Sequence, residues 1–109
     1  MELNLSLPKK MRCVDITEPG TADTLVVGQR PIPTLGDDEV LIKVAAAGVN
    51  RPDIFQRQGL YPPPDGASNI LGLEVAGEIL MIGSKVNHWQ VGQQVCTLFT
   101  GGGYSEYAT

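Results

Sequence analysis

The chain has 109 residues, of which 42% are apolar, with a mean hydropathy near zero and a formal net charge of −4. This composition predicts one small folded domain and argues against disorder, and the 13 glycines and eight prolines favour a β-rich fold over a helical bundle. The basic residues are scattered, which argues against a nucleic-acid surface, and no run approaches the ~20 apolar residues that span a bilayer.

The first eight residues show no secretion signal, because they lack a basic start and a continuous apolar run and carry an acid at Glu2. We therefore expect a cytoplasmic protein without a membrane segment. Residues 1–10 are interpreted as an N-terminal extension, and residues 11–109 as the folded domain.

Short apolar runs broken by turn residues predict about seven strands. The main ones are expected over 11–18, 24–33, 40–49, 70–83, the stretch ending in CTLF, and 104–107. The run 40–49 is nearly continuous in apolar residues, so we expect a strand buried on both faces. Many strands in a short chain, with one or two short helices, predict a mainly β fold closed as a distorted, partly open barrel.

The stretch GVNRPDIFQRQG, residues 48–59, predicts the helix. Asn50 can accept from the first free amides and Asp53 can reach back to it, as in a capping box. Pro52 suits the first helical turn, and Gly59 can take the left-handed conformation that ends a helix. The loop that follows, 60–69, is stiffened by three prolines and can hold Tyr61 at a fixed point.

No metal or catalytic motif stands out from the residues alone. His88 is the single histidine and is expected at the surface, while Cys13 and Cys96 are expected as buried thiols, so three zinc ligands are not in evidence. The glycines 101–103 precede no helix and no Lys-Ser or Lys-Thr pair, which favours a tight turn over a phosphate loop. Gly72 and Gly77 suggest bulges or close backbone approaches.

An ordered set of motifs resembles the N-terminal, GroES-like domain of the medium-chain dehydrogenase/reductase superfamily. These are GDDEVLIKVAAAGVNRPDIFQRQGLY, ILGLEVAGEI, WQVGQQV and GGGYSEYAT. The first of them resembles the quinone oxidoreductase branch, the zeta-crystallin-type enzymes, and the stretch RQGLYPPPDGASNILGLE is especially similar to the tumour-suppressor-inducible group of that branch. The resemblance covers about residues 11–109 and implies a GroES-like barrel.

The resemblance also implies the chemistry. Where zinc-dependent alcohol dehydrogenases of the superfamily carry a cysteine and a histidine ligand, this chain has Asn50 and Leu73, followed by Glu74. The chain therefore resembles a zinc-free member, with NADP(H) as donor and a quinone as acceptor. By position in the motif, Asn50 is expected near the nicotinamide as a catalytic and cofactor-binding residue, Phe55 at the cofactor, and Tyr61 in the substrate pocket. Glu74 is expected either to orient nearby polar groups or to be a remnant of the metal site.

Relatives of this kind carry a second, Rossmann domain that binds most of the cofactor. We expect that domain to be absent from this chain, the fragment alone to be inactive, and the full-length enzyme to be a homodimer. A reductase of enones or aldehydes is one alternative. A stand-alone GroES-like binding module is another, disfavoured because loop 60–69 is too stiff to serve as a mobile docking loop.

Overall fold

A computed structural model describes residues 7–109 as six strands and one α-helix. In chain order these are β1 (Lys10–Ile16), β2 (Leu25–Pro31), β3 (Val40–Ala47), α1 (Arg51–Arg57), β4 (Glu74–Ile82), β5 (Gln94–Leu98) and β6 (Tyr107–Ala108). Of the extension expected over 1–10, residues 1–6 lie outside the described range, and Lys10 already belongs to β1.

The strands form two antiparallel sheets. β1 and β2 make a two-stranded ribbon, and the other strands make a four-stranded sheet in the order β5-β4-β3-β6. The mainly β, GroES-like architecture is thereby confirmed. In the described part of the chain the strands do not close into a complete barrel, in agreement with the partly open form expected.

Residues 104–106 join the two sheets. On one side the Val14 amide donates to the Tyr104 carbonyl at 2.9 Å, and on the other the Val44 amide donates to the Glu106 carbonyl at 2.9 Å. The Arg12 amide and guanidinium both donate to the Glu106 carboxylate, which lowers the pKa of Glu106. The strand expected over 104–107 is therefore reduced to β6 and a single bridge between Cys13 and Ser105, because this segment bonds first to β1 and then to β3.

The expectation that β3 is buried on both faces is wrong. Leu41 and Ile42 are each 2% exposed, but Lys43, Ala45 and Ala46 are exposed to solvent. β6 pairs with only Ile42 and Lys43, and beyond the Val44 contact with Glu106 the last residues of β3 have no strand partner on that edge within the described residues.

The two cysteines are free thiols with different surroundings. Cys13 is buried with Met11 and Ile70, as expected, and burial together with the Asp15 carboxylate raises its pKa. The expectation of a buried thiol at Cys96 is wrong, because the alternation of β5 turns Cys96 to the exposed face.

Residues 70–73 run beside the glycine turn instead of extending β4. The amides of Gly102, Gly103 and Tyr104 donate to the carbonyls of Ile70, Gly72 and Leu71 at 2.8, 3.0 and 2.8 Å. Gly72 has φ +107°, and a Cβ there would lie 2.6 Å from the Tyr104 nitrogen and 2.7 Å from the Gly103 Cα. The close approach expected at Gly72 is confirmed, as is the one at Gly77, whose missing Cβ makes room for the Lys43 carbonyl.

Gly72→Ala should destabilise the protein by about 3 kcal/mol or more, because it adds a backbone clash to a left-handed conformation. The matched control is Gly66→Ala, which has φ +83° but no atom within 4 Å of the added Cβ, and should cost about 1 kcal/mol. Urea unfolding of both variants measures the difference. Equal losses would show that the close approach does not constrain the fold.

Candidate active site

Helix α1 begins at a capped turn. Asn50 is the N-cap in an extended conformation, and the Asp53 Oδ2 accepts its main-chain N–H at 3.0 Å. Pro52 lies in the first turn, as expected. The predicted capping box is thus confirmed, since both of its contacts are present. The Asn50 side-chain oxygen faces the Asp53 amide without forming a close hydrogen bond, and the Asp53 amide donates to the Asn50 main-chain carbonyl at 3.0 Å.

The helix ends as its sequence predicts. Gly59 has φ +85°, its amide donates to the Gln56 carbonyl at 3.0 Å, and the Leu60 amide donates to the Phe55 carbonyl at 2.8 Å. This is the Schellman pattern, in which a left-handed glycine satisfies the last free carbonyls. It fixes the direction in which the chain enters the proline-rich loop.

The Asn50 side chain is bound to Glu74, the first residue of β4. The Asn50 Nδ2 donates to the Glu74 Oε1 at 2.8 Å, and both residues are partly buried. Gly48 makes this possible, because a Cβ there would lie 2.7 Å from the Glu74 Cγ. The Gly48 amide also donates to the Glu74 main-chain carbonyl at 3.1 Å. The residues after the end of β3 and at the start of β4 therefore fix the position of the Asn50 carboxamide.

Asp53 is held by a residue far along the chain. It is 3% exposed, and the Tyr104 hydroxyl donates to its Oδ2 at 2.8 Å. Its Oδ1 is buried without a hydrogen-bond partner among residues 7–109. Burial and the bond to the Asp53 carboxylate raise the pKa of Tyr104, so the phenol stays protonated as a donor.

The other two predicted site residues, one within α1 and one in the loop after it, are both partly exposed to solvent. Phe55 and Tyr61 are 41% and 42% exposed, and the Tyr61 hydroxyl makes no hydrogen bond within residues 7–109. Asn69, near the far end of the loop, is tied down by the Arg30 guanidinium at 2.6 Å and by the Gln56 amide at 3.2 Å. The loop is thus anchored at both ends, with an aromatic ring and a free hydroxyl presented to solvent.

A cavity of about 460 Å³ lies elsewhere on the domain. Its lining includes Met11, Ile70, Gly101 and Thr109, and it does not include Asn50, Phe55 or Tyr61. The three predicted residues are therefore near one another in the chain, but they do not line this cavity.

Within 7–109, no three His, Cys, Asp or Glu side chains come together as a group that could hold a metal ion. His88 is at the surface, as expected, next to Trp89. In the same residues, none of the helices has the length and apolar character needed to cross a membrane.

The sequence reasoning missed Tyr104 as part of this site. Tyr104 is 51 residues from Asp53, and its alternating context indicated only a strand. The available signal was the run of three glycines before Tyr104, which allows the backbone to approach residues 70–72 and brings the tyrosine over the helix start.

The antiparallel sheets and the single short α-helix are the architecture expected of a GroES-like domain. The sequence profile of the "Alcohol dehydrogenase GroES-like domain" matches residues 36–109, and the chain belongs to that family.

Three similar proteins illustrate the family. The chain is 37% identical to the quinone oxidoreductase of Lama guanicoe over 100 residues, covering 90% of this chain and 30% of that protein. It is 34% identical to the chloroplastic NADPH-dependent alkenal/one oxidoreductase of Arabidopsis thaliana, and the match covers 83% of this chain and 24% of that protein. The structure of Escherichia coli quinone oxidoreductase complexed with NADPH superimposes with a TM-score of 0.79 at 28% identity, and the match covers 89% of this chain and 30% of that protein. This chain spans 4% to 31% of the length of the curated relatives compared.

Tyr104→Phe should lower the free energy of unfolding by about 1–3 kcal/mol, because it removes a donor from a buried carboxylate. Tyr107→Phe is the control, since the Tyr107 hydroxyl has no hydrogen bond within the described residues, and it should change stability little.

The raised pKa of Tyr104 in the folded protein also predicts how stability depends on pH. Above the ordinary pKa of 10.0 the unfolded phenol ionises first, so the wild type loses stability with rising pH and its advantage over Tyr104→Phe narrows. Urea unfolding at neutral and alkaline pH measures both effects, and a constant advantage would contradict the assignment.

Proposed function

We propose that this chain forms the substrate side of a zinc-free, NADPH-dependent oxidoreductase that passes hydride to quinones. The observation that carries the proposal is the Asn50–Glu74 hydrogen bond, at the place where metal-dependent relatives are expected to hold zinc. Similarity to quinone oxidoreductases at about 37% identity supports the reaction class. Since the chain spans 30% of that relative, we further propose that a dinucleotide-binding domain completes the cofactor site.

The residues at the expected metal position do not fit zinc. Zinc in proteins takes histidine, thiolate or carboxylate ligands. Here the three positions offer the carboxamide of Asn50, the aliphatic Leu73 and one carboxylate, Glu74, whose Oε1 already accepts from Asn50. No step of the proposed reaction therefore uses a metal.

Two residues of the helix region are candidates for contact with the cofactor ring. Reduced NADP supplies the hydride when it is bound. Asn50 would hold the polar edge of the nicotinamide, because its carboxamide keeps a second N–H after the bond to Glu74. Phe55 would cover a ring face, since 41% of its surface is exposed on the same helix.

Tyr61 would bind the acceptor oxygen. Its hydroxyl has no partner among residues 7–109, and its loop is anchored at both ends, so it can donate without first breaking another bond. A quinone is already an electrophile, and charge on its reduced form spreads over the ring. Positioning of the two reactants and one hydrogen bond to the acceptor oxygen can then be sufficient for quinone reduction, whereas alcohol oxidation uses a metal to stabilise the alkoxide.

The direct test is NADPH oxidation by the natural full-length protein with 1,4-benzoquinone, before and after dialysis against EDTA. We expect turnover at the same rate after chelation. A rate abolished by EDTA and restored by zinc would overturn the zinc-free assignment, and no turnover with any acceptor would overturn the enzyme assignment.

Reduction of enones or alkenals is the second candidate, favoured by the similarity to the Arabidopsis thaliana alkenal/one oxidoreductase. An enone also accepts hydride while its oxygen gains charge, so the same residues could serve it. Comparing kcat/KM for the quinone with that for an alkenal separates the two acceptor classes.

Tyr61→Phe in the natural protein should lower kcat/KM for the preferred acceptor about tenfold, the value of one hydrogen bond of roughly 1.4 kcal/mol. Its stability should be unchanged, because the hydroxyl has no partner in the described residues. Tyr107→Phe serves as the control and should keep the wild-type rate. An unchanged rate in Tyr61→Phe would remove Tyr61 from the substrate site.

A further inference from the structure

We propose that Glu74 is a positioning residue that sets which end of the Asn50 carboxamide faces the reactants. The proposal rests on the proposed function and deepens it, because it assigns the carboxylate beside the expected nicotinamide site to the orientation of one side chain.

The contact geometry commits the Asn50 nitrogen to Glu74. The Asn50 Nδ2 lies 2.8 Å from the Glu74 Oε1, and an ionised carboxylate can only accept. A carboxamide has two ends of nearly equal shape, so packing alone does not distinguish them. With a carboxylate as partner, only one of the two orientations makes a hydrogen bond.

The fold supports this contact from both sides. Glu74 is fixed at the start of β4, where its main-chain carbonyl accepts from Gly48 at 3.1 Å. The absence of a side chain at Gly48 gives the Glu74 side chain its path to Asn50. The Asn50 main chain is held separately, by Asp53 at 3.0 Å, and Asp53 is held by Tyr104.

The helix cap is compatible with this orientation. The Asn50 side-chain oxygen faces the Asp53 amide in the capping box without forming a close hydrogen bond, and the Asp53 side chain, Pro52 and the main-chain contact between residues 53 and 50 also secure the helix start. The close hydrogen bond of the carboxamide is the one to Glu74, and it leaves the second N–H of Asn50 in a defined arrangement for a ligand.

The first experiment replaces the acceptor. In the natural protein, Glu74→Leu removes it, and Glu74→Gln keeps the shape but lets the partner both donate and accept. We expect kcat for NADPH-dependent quinone reduction to fall about 10- to 100-fold in Glu74→Leu, because the carboxamide is no longer aligned, and to fall less in Glu74→Gln. Glu78→Gln, an exposed position on the same strand, is the control and should keep the wild-type rate.

The second experiment reverses the donor and the acceptor. The double variant Asn50→Asp with Glu74→Gln keeps a hydrogen bond between the two positions but leaves no N–H at position 50. If Glu74 acts by orienting the amide, the double variant should regain stability without regaining activity. Recovery of activity together with stability would show a purely structural pair and overturn the proposal.

A third readout does not depend on activity. In ¹⁵N-labelled protein, the Asn50 side-chain NH₂ resonances should shift, and their hydrogen exchange should quicken, in Glu74→Leu but not in Glu78→Gln. An unchanged Asn50 signal in Glu74→Leu would overturn the proposal even in an active enzyme. A wild type with this signal pattern but no turnover with quinone or enone would instead overturn the proposed function.

Discussion

The hydrogen bond from the Tyr104 hydroxyl to the Asp53 carboxylate is the contact on which the site depends. It joins the segment after the glycine turn to the first turn of α1, across 51 residues of sequence. Asp53 is 3% exposed, and a buried carboxylate is unfavourable unless donors surround it. The donors it receives from Tyr104 and from the Asn50 main chain are therefore what allow Asp53 to fix the helix start.

Close packing of backbones brings those donors into place. Gly72 and Gly103 let two segments run side by side, which sets Tyr104 above the helix, and Gly48 lets Glu74 reach Asn50. Their role is to remove the side chains that would separate the polar residues, and the glycines 101–103 are better explained by this packing than by a phosphate loop.

Local sequence predicted the parts of the site that local chemistry decides. Asn50, Pro52, Asp53 and Gly59 fall within ten residues and specify a capped helix, and the structure has that helix with its Asp53 contact and its Schellman end. The pairing of Tyr104 with Asp53 could not be assigned from the sequence, because the glycines before Tyr104 allow a close backbone approach but do not indicate which residue its hydroxyl reaches. The predictions for β3 and Cys96 were wrong for a related reason. Whether a face of a strand is buried depends on the position of that strand in the sheet and on what packs against it, and a run of apolar residues does not indicate either.

A double-mutant cycle between Asp53→Ala and Tyr104→Phe tests the central contact most directly. The free energies of unfolding of the wild type, both single variants and the double variant give the coupling between the two side chains, free of their contacts with other residues. We expect a coupling of about 1–3 kcal/mol, because the hydroxyl donates to a buried carboxylate. A coupling indistinguishable from zero would mean that the two side chains act independently, and that the glycine turn does not hold the helix start in place.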